Sequence, residues 1–433
     1  MRIIKTILIL FFFTSTYFSQ QQSPNILLII ADDMGIDATP GFGITGNLPV
    51  TPTLDSLREK GLSFTNCWAS PQCSPTRAAI LSGKYGIKTG VMRPPLILDT
   101  SHTSLFTKIN EQSPTDYAMG LIGKWHLGGN NKNYSHPKDS GVPYYEGIFT
   151  SQVDDYYDWT KVNSEENEEQ IKEYATSHLT NSAISWIDNQ TKPWFLWLAH
   201  VAPHSPFQIP PDGTYTTSAT NNRTTYLSMI ESMDYEINRL LESMDDETLG
   251  NTVIIFIGDN GTPGQANNYW PNGHAKSSIY EGGIRVPLII SGKSVERVNE
   301  VETSLVQATD LHATILELAG VQLLGGTENS LSLKPSLSFE NQLSKKINYT
   351  DYENGNIEFW ATRNDTYKLI EDENGNEEFY NIVIDIKEET NLIGNLTSEQ
   401  ETIKTMLQQE AQTIRNDWSC NDGIKNGTET TID

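Results

Sequence analysis

Two mostly apolar runs, each followed one residue later by a pair of acidic or amide residues, limit the possible folds of this chain more than any other feature. The first run spans residues 26–30 and precedes Asp32 and Asp33; the second spans residues 252–257 and precedes Asp259 and Asn260. Short Leu/Ile/Val runs bounded by polar residues are typical of strands buried on both faces of a parallel sheet. Because the carboxyl ends of parallel strands meet at one edge, we expect these polar side chains to lie together.

Two further apolar runs, at residues 194–201 and 286–291, extend this pattern, and His204 follows the first of them. Helical patterns lie at residues 53–60, 76–83, 170–188, 225–244 and 307–319. The alternation predicts an α/β fold with a doubly wound, mixed and mostly parallel sheet flanked by helices. Such a sheet binds ligands beyond the carboxyl ends of its strands.

The sequence pattern changes after about residue 330. Segments 360–370 and 377–382, separated by an Asn374-Gly375 turn signal, predict a β-hairpin, and residues 397–415 predict an amphipathic helix. We therefore expect a main domain at residues 21–330 and a small C-terminal subdomain, an antiparallel sheet plus a helix, at residues 331–418. Residues 419–433, which include Cys420, resemble a linker or the start of a truncated C-terminal region.

The N-terminus has two basic residues followed by a mostly apolar run at residues 6–18. This pattern predicts a secretory signal peptide over residues 1–20, hence a secreted or periplasmic protein. A buried core helix or a membrane anchor is the alternative, but the run is short for a bilayer, so no stable membrane anchor is expected. The net charge of −25, from 30 basic and 55 acidic residues, excludes nucleic acid as a partner, because phosphate binding needs a basic surface.

The acidic and amide side chains at the predicted sheet edge favour a metal site. Asp32, Asp33, Asp259 and Asn260 offer only oxygen ligands, which suit Ca²⁺ or Mg²⁺ and not zinc. For Asp259 and Asn260, which precede Gly261, a simple β-turn is the alternative interpretation.

The segment Cys73-Ser74-Pro75-Thr76-Arg77 carries the most specific chemistry. Cys-x-Pro-x-Arg resembles the sequence in which sulfatase-maturing enzymes oxidise cysteine to formylglycine, an aldehyde whose hydrate attacks sulfur. Pro75 suits the first turn of a helix, whose N-terminal amides favour an anion. An unmodified cysteine and a Cys67–Cys73 disulfide are the alternatives, and the disulfide would abolish the chemistry.

Basic side chains that could bind an anion lie in three further segments. Lys124 and His126 are two residues apart, His204 lies between prolines, and Lys276 follows His274 by two residues. Singly, such a lysine is more often a surface residue and such a histidine a structural one. Together with Arg77 they predict an anion-binding cradle.

Several motifs occur in the order found in one known family: residues 73–77, 81–85, 123–128, 258–261 and 280–287. The chain resembles a type I, formylglycine-dependent sulfatase of the alkaline phosphatase superfamily, over about residues 24–392. The segments 367–370, 378–380 and 388–392 also resemble that family's small second domain.

This resemblance implies one Ca²⁺ per chain, bound by Asp32, Asp33, Asp259, Asn260 and the modified Cys73. It implies that Arg77 and Lys124 steady the aldehyde hydrate and that Lys124, His204 and Lys276 contact the sulfate. His204 would give a proton to the leaving alcohol, and His126 would act as the base of the second step. Ser151 is a weak further candidate, because residues 149–152 match the family poorly.

The implied function is hydrolysis of sulfate monoesters on a sulfated polysaccharide or oligosaccharide. The implied partners are that substrate and a formylglycine-generating or sulfatase-maturing enzyme. Aromatic residues at 151–159 and Trp270 are candidates for sugar contacts, or else partly buried loop residues. Three other functions stay open: a phosphatase or phosphonate hydrolase of the same superfamily, an inactive sulfated-glycan-binding module, and a Cys-His hydrolase.

Overall fold

The computed structural model of the chain describes residues 23–323 and 328–416. The predicted signal peptide at 1–20 and the segment 419–433 lie outside these residues. The strands of the main sheet are β1 (Asn25–Ala31), β2 (Gly61–Trp68), β3 (Ala118–Gly123), β4 (Tyr145–Gly147), β5 (Trp159–Asn163), β6 (Glu168–Ile171), β7 (Trp194–Ala199), β8 (Thr252–Gly258), β9 (Arg285–Gly292), β10 (Glu300–Glu302) and β11 (Val306–Gln307).

The helices are α1 (Pro52–Glu59), α2 (Cys73–Ser82), α3 (Gly86–Thr89), α4 (Leu105–Gln112), α5 (His136–Asp139), α6 (Ala175–Asp188), α7 (Asn222–Ser243), α8 (Asp246–Gly250), α9 (Glu281–Ile284), α10 (Asp310–Leu318) and α11 (Ser398–Asn416). Short 3-10 helices lie at Ile36–Ala38 and Lys334–Leu337. Among the described helices, none combines the length and the apolar character that a membrane crossing requires.

The main sheet has the strand order β10-β2-β9-β8-β1-β7-β3-β4-β5-β6, with β11 also paired to β2. The central pairs β8–β1, β1–β7 and β7–β3 are parallel, whereas β9 runs antiparallel to both of its neighbours. Helices cover both faces. The predicted mixed, mostly parallel, helix-flanked sheet is therefore confirmed.

Alternating side chains of the central strands feed two separate cores, one on each face of the sheet. Leu28 and Ile30 of β1 pack with apolar residues of α2, α4 and α10. Leu27 and Ile29 point to the other face and pack with α1, α6 and α7. All four are completely buried, which explains why β1 is an uninterrupted apolar run.

Two predicted helices begin later than the sequence pattern indicated. The segment predicted as a helix from 170 begins as strand β6, and α6 starts at Ala175. Likewise residues 306–307 form β11, and α10 starts at Asp310. Both segments gain backbone hydrogen bonds by pairing with a neighbouring strand, β5 for β6 and β2 for β11, which a local helical pattern cannot reveal.

The C-terminal residues form a four-stranded antiparallel sheet of β12 (Asn348–Asn354), β13 (Ile357–Arg363), β14 (Tyr367–Asp372) and β15 (Glu377–Asn381), on which α11 packs. The predicted turn joins β14 to β15, and Gly375 adopts a φ of 80° there. The segment 360–370, expected as one strand, is divided between β13 and β14. The chain reverses direction at Asn364, where the side-chain Oδ1 accepts hydrogen bonds from the Thr366 and Tyr367 amides and stabilises the turn.

Buried charged groups join this subdomain to the main sheet. Lys368 of β14 forms ion pairs with Glu388 at 2.7 Å and with Glu281 of α9 at 3.4 Å. Glu281 also accepts a hydrogen bond of 3.0 Å from the indole of Trp68, at the end of β2. The small sheet is thus fixed to the end of β2 and to α9, the short helix directly before β9.

Asp351 of β12 forms a second contact between the small sheet and the main domain. Its buried carboxylate accepts from the amide of Ile87 at 2.9 Å and from the Tyr349 hydroxyl at 3.1 Å. Burial raises the pKa of Asp351 to about 6. Because its pKa is higher in the folded protein than in the unfolded chain, protonation of Asp351 stabilises the fold. We expect this contribution to the free energy of unfolding to be fully present below about pH 4 and to be lost as the pH rises towards 6.

Asp351→Asn should therefore gain stability relative to the wild type between pH 4 and 6.5, by about 1–3 kcal/mol. Urea unfolding at a series of pH values measures this difference. Asp365→Asn, at an exposed position of the same sheet, is the matched control and should show no such trend. A difference between Asp351→Asn and wild type that does not change with pH would contradict the assignment.

Candidate active site

Strand register brings the predicted site residues to one edge of the sheet. Ala31 pairs with Gly258 in the parallel β1–β8 ladder, so Asp32 and Asp259 leave their strands side by side. The parallel ladders of β7 with β1 and with β3 bring the segments carrying His204 and Lys124 to the same edge. β2 ends there too, and α2, which begins with Cys73, follows it.

Asp259 and Arg77 are joined by two hydrogen bonds. Both are buried, and the guanidinium donates to Asp259 Oδ2 through Nε at 3.0 Å and through Nη2 at 2.8 Å. Burial opposes the charge of Arg77, but the neighbouring Asp259 and Asp32 together with the Asp259 hydrogen bonds outweigh it and raise the pKa of Arg77. Arg77 Nη1 also donates to the carbonyl of Lys124 at 2.7 Å, so this residue ties α2 to two strand ends.

Asp32 lies between the same groups. Lys124 Nζ donates to Asp32 Oδ2 at 2.5 Å, and Arg77 Nη2 lies 3.8 Å from the same oxygen. Burial and the neighbouring Asp259 nevertheless raise the pKa of Asp32 to about 7. Additional positive charge beside these two carboxylates would relieve their repulsion.

Asp33 links the predicted metal ligands to the predicted sulfate-binding residues. Its carboxylate pairs with Lys276 and lies 3.6 Å from His204 Nε2. Burial opposes ionisation of Asp33, but His204 and Lys276 lower its pKa below the usual range. The backbone of Asp33 has a left-handed φ of 73°, which is rare for a residue with a side chain, and Tyr226 steadies it by donating to its carbonyl at 2.8 Å.

Cys73 opens α2 with a buried thiol. Its Sγ lies 3.3 Å from Lys124 Nζ, and no imidazole is among the hydrogen-bond partners found for it within the described chain. Burial raises the pKa of this thiol, so an unmodified Cys73 would be a poor nucleophile. Cys73 and Cys67 are both free and buried, so the alternative of a disulfide between them is not formed.

Lys124 reaches the site because the chain turns sharply at Gly123. A Cβ at Gly123 would lie 1.9 Å from the carbonyl oxygen of Ala199, so only glycine fits. That carbonyl accepts the Lys124 amide at 2.9 Å. His126 follows with a φ of 58° and is buried with both ring nitrogens lacking partners. Burial and Lys124 lower the pKa of His126 well below its usual value, which keeps the ring neutral.

Two buried oxygens indicate whether the residues of the site suit a cation. Asp32 Oδ1 and Asn260 Oδ1 have no hydrogen-bond partner, although buried polar atoms are normally paired. Ligand atoms of Asp32, Cys73 and Asp259 lie within 4.8 Å of one another. These unpaired oxygens and their oxygen-rich surroundings fit a hard divalent cation.

The structure brings together every residue of the predicted site: Asp32, Asp33, Cys73, Arg77, Lys124, His126, His204, Asp259, Asn260 and Lys276. Ser151 lies half-buried in the loop between β4 and β5, outside the hydrogen bonds described above, and it stays a weak candidate. The idea that aromatic residues bind sugar is not supported for Trp159 and Trp270. Both are buried, with exposed fractions of 2% and 5%.

A shallow depression opens beside His204 and Lys276. It measures about 450 Å³ and is lined by Asp33, His204, Ser205, Pro263, Gly264, Gln265, Lys276 and Ser277. Sequence reasoning missed Ser205, Gln265 and Ser277, since small polar residues in loops carry no pattern that distinguishes them. It also missed Tyr226, which lies on α7 and reaches the site only through packing.

Comparisons with known proteins identify the family of this chain. A family model described as Sulfatase matches residues 24–321, and one described as N-sulphoglucosamine sulphohydrolase, C-terminal, matches residues 273–417. Arylsulfatase J of Mus musculus is 30% identical over 325 residues, which cover 69% of this chain and 53% of the relative. An ulvan-active sulfatase of Formosa agariphila is 24% identical over 420 residues, which cover 89% of this chain and 79% of that protein.

The fold is also shared with a solved structure. The crystal structure of Ps i-CgsB in complex with k-i-k-neocarrahexaose superposes with a TM-score of 0.79 at 24% identity, covering 90% of this chain and 92% of that one. The chain spans between about half and two thirds of the length of the first curated relatives that it matches. Because the Sulfatase model covers most of the chain and the fold agrees, the chain belongs to the sulfatase family of the alkaline phosphatase superfamily.

Proposed function

We propose that the chain hydrolyses sulfate monoesters on a sulfated polysaccharide or oligosaccharide, with a nucleophile made from Cys73. The observation that carries this proposal is the position of Cys73. Its Sγ lies 3.3 Å from the ammonium of Lys124 and within 4.8 Å of ligand oxygens of Asp32 and Asp259. A side chain placed between a cation site and a cluster of basic groups is suited to attack an anion.

Formylglycine at position 73 would supply a hydrated aldehyde that attacks sulfur, and Ca²⁺ would supply positive charge beside it. Asp32, Asp33, Asp259 and Asn260 would hold the ion. Lys124 and Arg77 would orient residue 73, because Lys124 already contacts its side chain and Arg77 fixes the Lys124 backbone. Their positions are set before substrate binds, which is the arrangement that stabilises developing charge most effectively.

Lys124, His204 and Lys276 would bind the sulfate. Burial lowers the pKa of His204 to about 4, so its ring would hold a proton mainly when an anion lies beside it. His204 Nδ1 donates to the carbonyl of Ser205 at 2.6 Å, which leaves Nε2 facing the site as the proton donor to the leaving oxygen. His126, whose ring nitrogens lack partners, would accept the proton from residue 73 when sulfate is released.

The charge balance of the site supports an anionic substrate. The three carboxylates of Asp32, Asp33 and Asp259 face the three cations of Arg77, Lys124 and Lys276. A divalent cation would therefore leave the site with net positive charge. This local charge would attract a sulfate ester although the protein as a whole is strongly acidic.

The alternative functions agree less well with these contacts. A Cys-His hydrolase needs a histidine bonded to the thiol, whereas the described bond of Cys73 is to Lys124. A two-metal phosphatase needs two separate metal sites, whereas the two described groups that could hold a metal share Asp32. An inactive glycan-binding module would not need the buried, unpaired His126.

Three finer features complete the proposal. The names of the relatives, which include an ulvan-active sulfatase, favour a polysaccharide substrate. The N-terminal sequence favours a secreted or periplasmic protein that a formylglycine-generating or sulfatase-maturing enzyme modifies before use. We place the catalytic domain at residues 21–330 and the small subdomain at residues 331–418.

Replacement of the proposed nucleophile should abolish activity. Cys73→Ala is expected to lower kcat more than about 10⁴-fold, because no other described group can take over covalent attack. Sulfate release from an aryl sulfate measures the loss. In wild-type protein co-produced with a maturing enzyme, mass spectrometry of the peptide containing residue 73 should show the aldehyde.

Cys67→Ala is the matched control, since Cys67 is the other free buried cysteine among the residues that the structure describes and lies on β2. Its activity per folded molecule should stay near that of the wild type. A wild-type protein that cleaves sulfate esters while residue 73 remains a thiol would disprove the nucleophile.

Removal of the cation should also abolish turnover. Chelation is expected to stop sulfate release, and added Ca²⁺ should restore it. Ca²⁺ should raise the unfolding temperature of Cys73→Ala protein as well, since an ion that binds the folded state stabilises it by about 2.7 kcal/mol at 100 times Kd. This second measurement does not depend on activity.

Asn260→Ala should reduce the Ca²⁺-dependent rise in unfolding temperature, because it removes one of the unpaired oxygens. Asn268→Ala, at an exposed position of the following loop, should leave the rise unchanged. Equal responses of the two variants would rule out Asn260 as a ligand.

A further inference from the structure

We propose that the sugar unit bearing the reacting sulfate is uncharged apart from that sulfate, and that Gln265 selects for this property. The inference rests on the proposed function, because it concerns the leaving group of the same reaction. It follows from the position of the depression beside His204 and Lys276 and from the charges of the residues that line it.

The depression is where the sugar must lie. His204 and Lys276, the proposed sulfate contacts, form part of its wall, so the oxygen that joins sulfate to sugar emerges into it. Its volume of about 450 Å³ is in the range of small-molecule sites. Ser205, Gln265 and Ser277 line the same depression, so they are placed to contact the ring that carries the sulfate.

These three side chains are neutral and polar. Hydroxyl and amide groups both donate and accept hydrogen bonds, so they suit the hydroxyl groups of a sugar. No Phe, Tyr or Trp is among the lining residues that the structure describes. Hydrogen bonds, and not ring stacking, would thus orient the sugar.

A second anionic group on the sugar would find no free cation in this wall. The basic lining residues are His204 and Lys276, and both face Asp33. On neighbouring segments, Arg223 donates to the carbonyls of Ala266 and Asn47, at 3.1 and 3.0 Å.

Another neighbouring cation is also engaged: the ammonium of Lys387 lies 4.3 Å from the ring centre of Tyr269. A carboxylate or second sulfate would therefore lose water without gaining a charged partner, which is costly. The acidic protein as a whole would add to that cost.

Gln265 is held in position by its loop. The amide of Ala266 donates to the carbonyl of Pro263 at 2.9 Å, and Arg223 binds the Ala266 carbonyl from below. The Gln265 side chain itself is exposed and forms no hydrogen bond among those found in the described residues. A fixed backbone that presents a free amide at the mouth of a site is suited to select substrates.

The test compares matched substrates. Monosulfated hexoses are each paired with the same hexose carrying a second sulfate, and kcat/KM is measured for both, with an aryl sulfate as reference. We expect the wild type to prefer the monosulfated member by at least about tenfold, the ratio given by one unpaired anion. Gln265→Arg should raise kcat/KM for the disulfated member and reverse or abolish this preference.

Gln409→Arg makes the same charge change on the exposed face of α11 and should leave the preference as in the wild type. A wild type that cleaves aryl sulfate but prefers the disulfated sugars would overturn this inference and leave the proposed function intact. A Gln265→Arg variant that keeps the wild-type preference for monosulfated sugars would also overturn this inference and leave the proposed function intact. Failure of formylglycine-containing protein to release sulfate from any substrate would overturn the proposed function and this inference together.

Discussion

Three buried carboxylates at one edge of a sheet are the constraint on which the rest of the structure depends. Asp32, Asp33 and Asp259 lie close together without solvent, an arrangement that is unfavourable unless positive charge is buried with them. Arg77, Lys124 and Lys276 provide that charge, and each comes from a different segment of the chain. The acids therefore determine where α2, the end of β3 and the loop before α9 must pack.

The same compensation prepares the site for catalysis. Arg77 and Asp259 are 182 residues apart, yet their two hydrogen bonds fix the start of α2 against the end of β8. Cys73 lies one turn before Arg77 on α2, so its position is fixed as well. Because the charged groups are held before substrate arrives, little reorganisation is needed as charge develops during the reaction.

The C-terminal subdomain supports the loop that carries Lys276. His274 donates from Nδ1 to the carbonyl of Lys387 at 3.0 Å, and its ring stacks on Tyr280 at 3.7 Å. Glu281, directly after Tyr280, is bound by Lys368 of the small sheet. The subdomain thus helps to place Lys276, a proposed sulfate contact, and its role extends beyond covering the end of β2.

The acids at the strand ends, the motif at Cys73 and the class of fold can be inferred from local residue order: apolar runs, turn residues and a helix start. Local order could not predict β3, whose sequence contains Gly120 and Gly123 and carries little strand propensity, or β6, which is formed by pairing with β5. Long-range packing sets which cations neutralise which acids, buries Trp159 and Trp270, and brings Gln265 to the depression beside His204 and Lys276. These properties depend on contacts between residues far apart in the chain, and such contacts leave no pattern in any one segment.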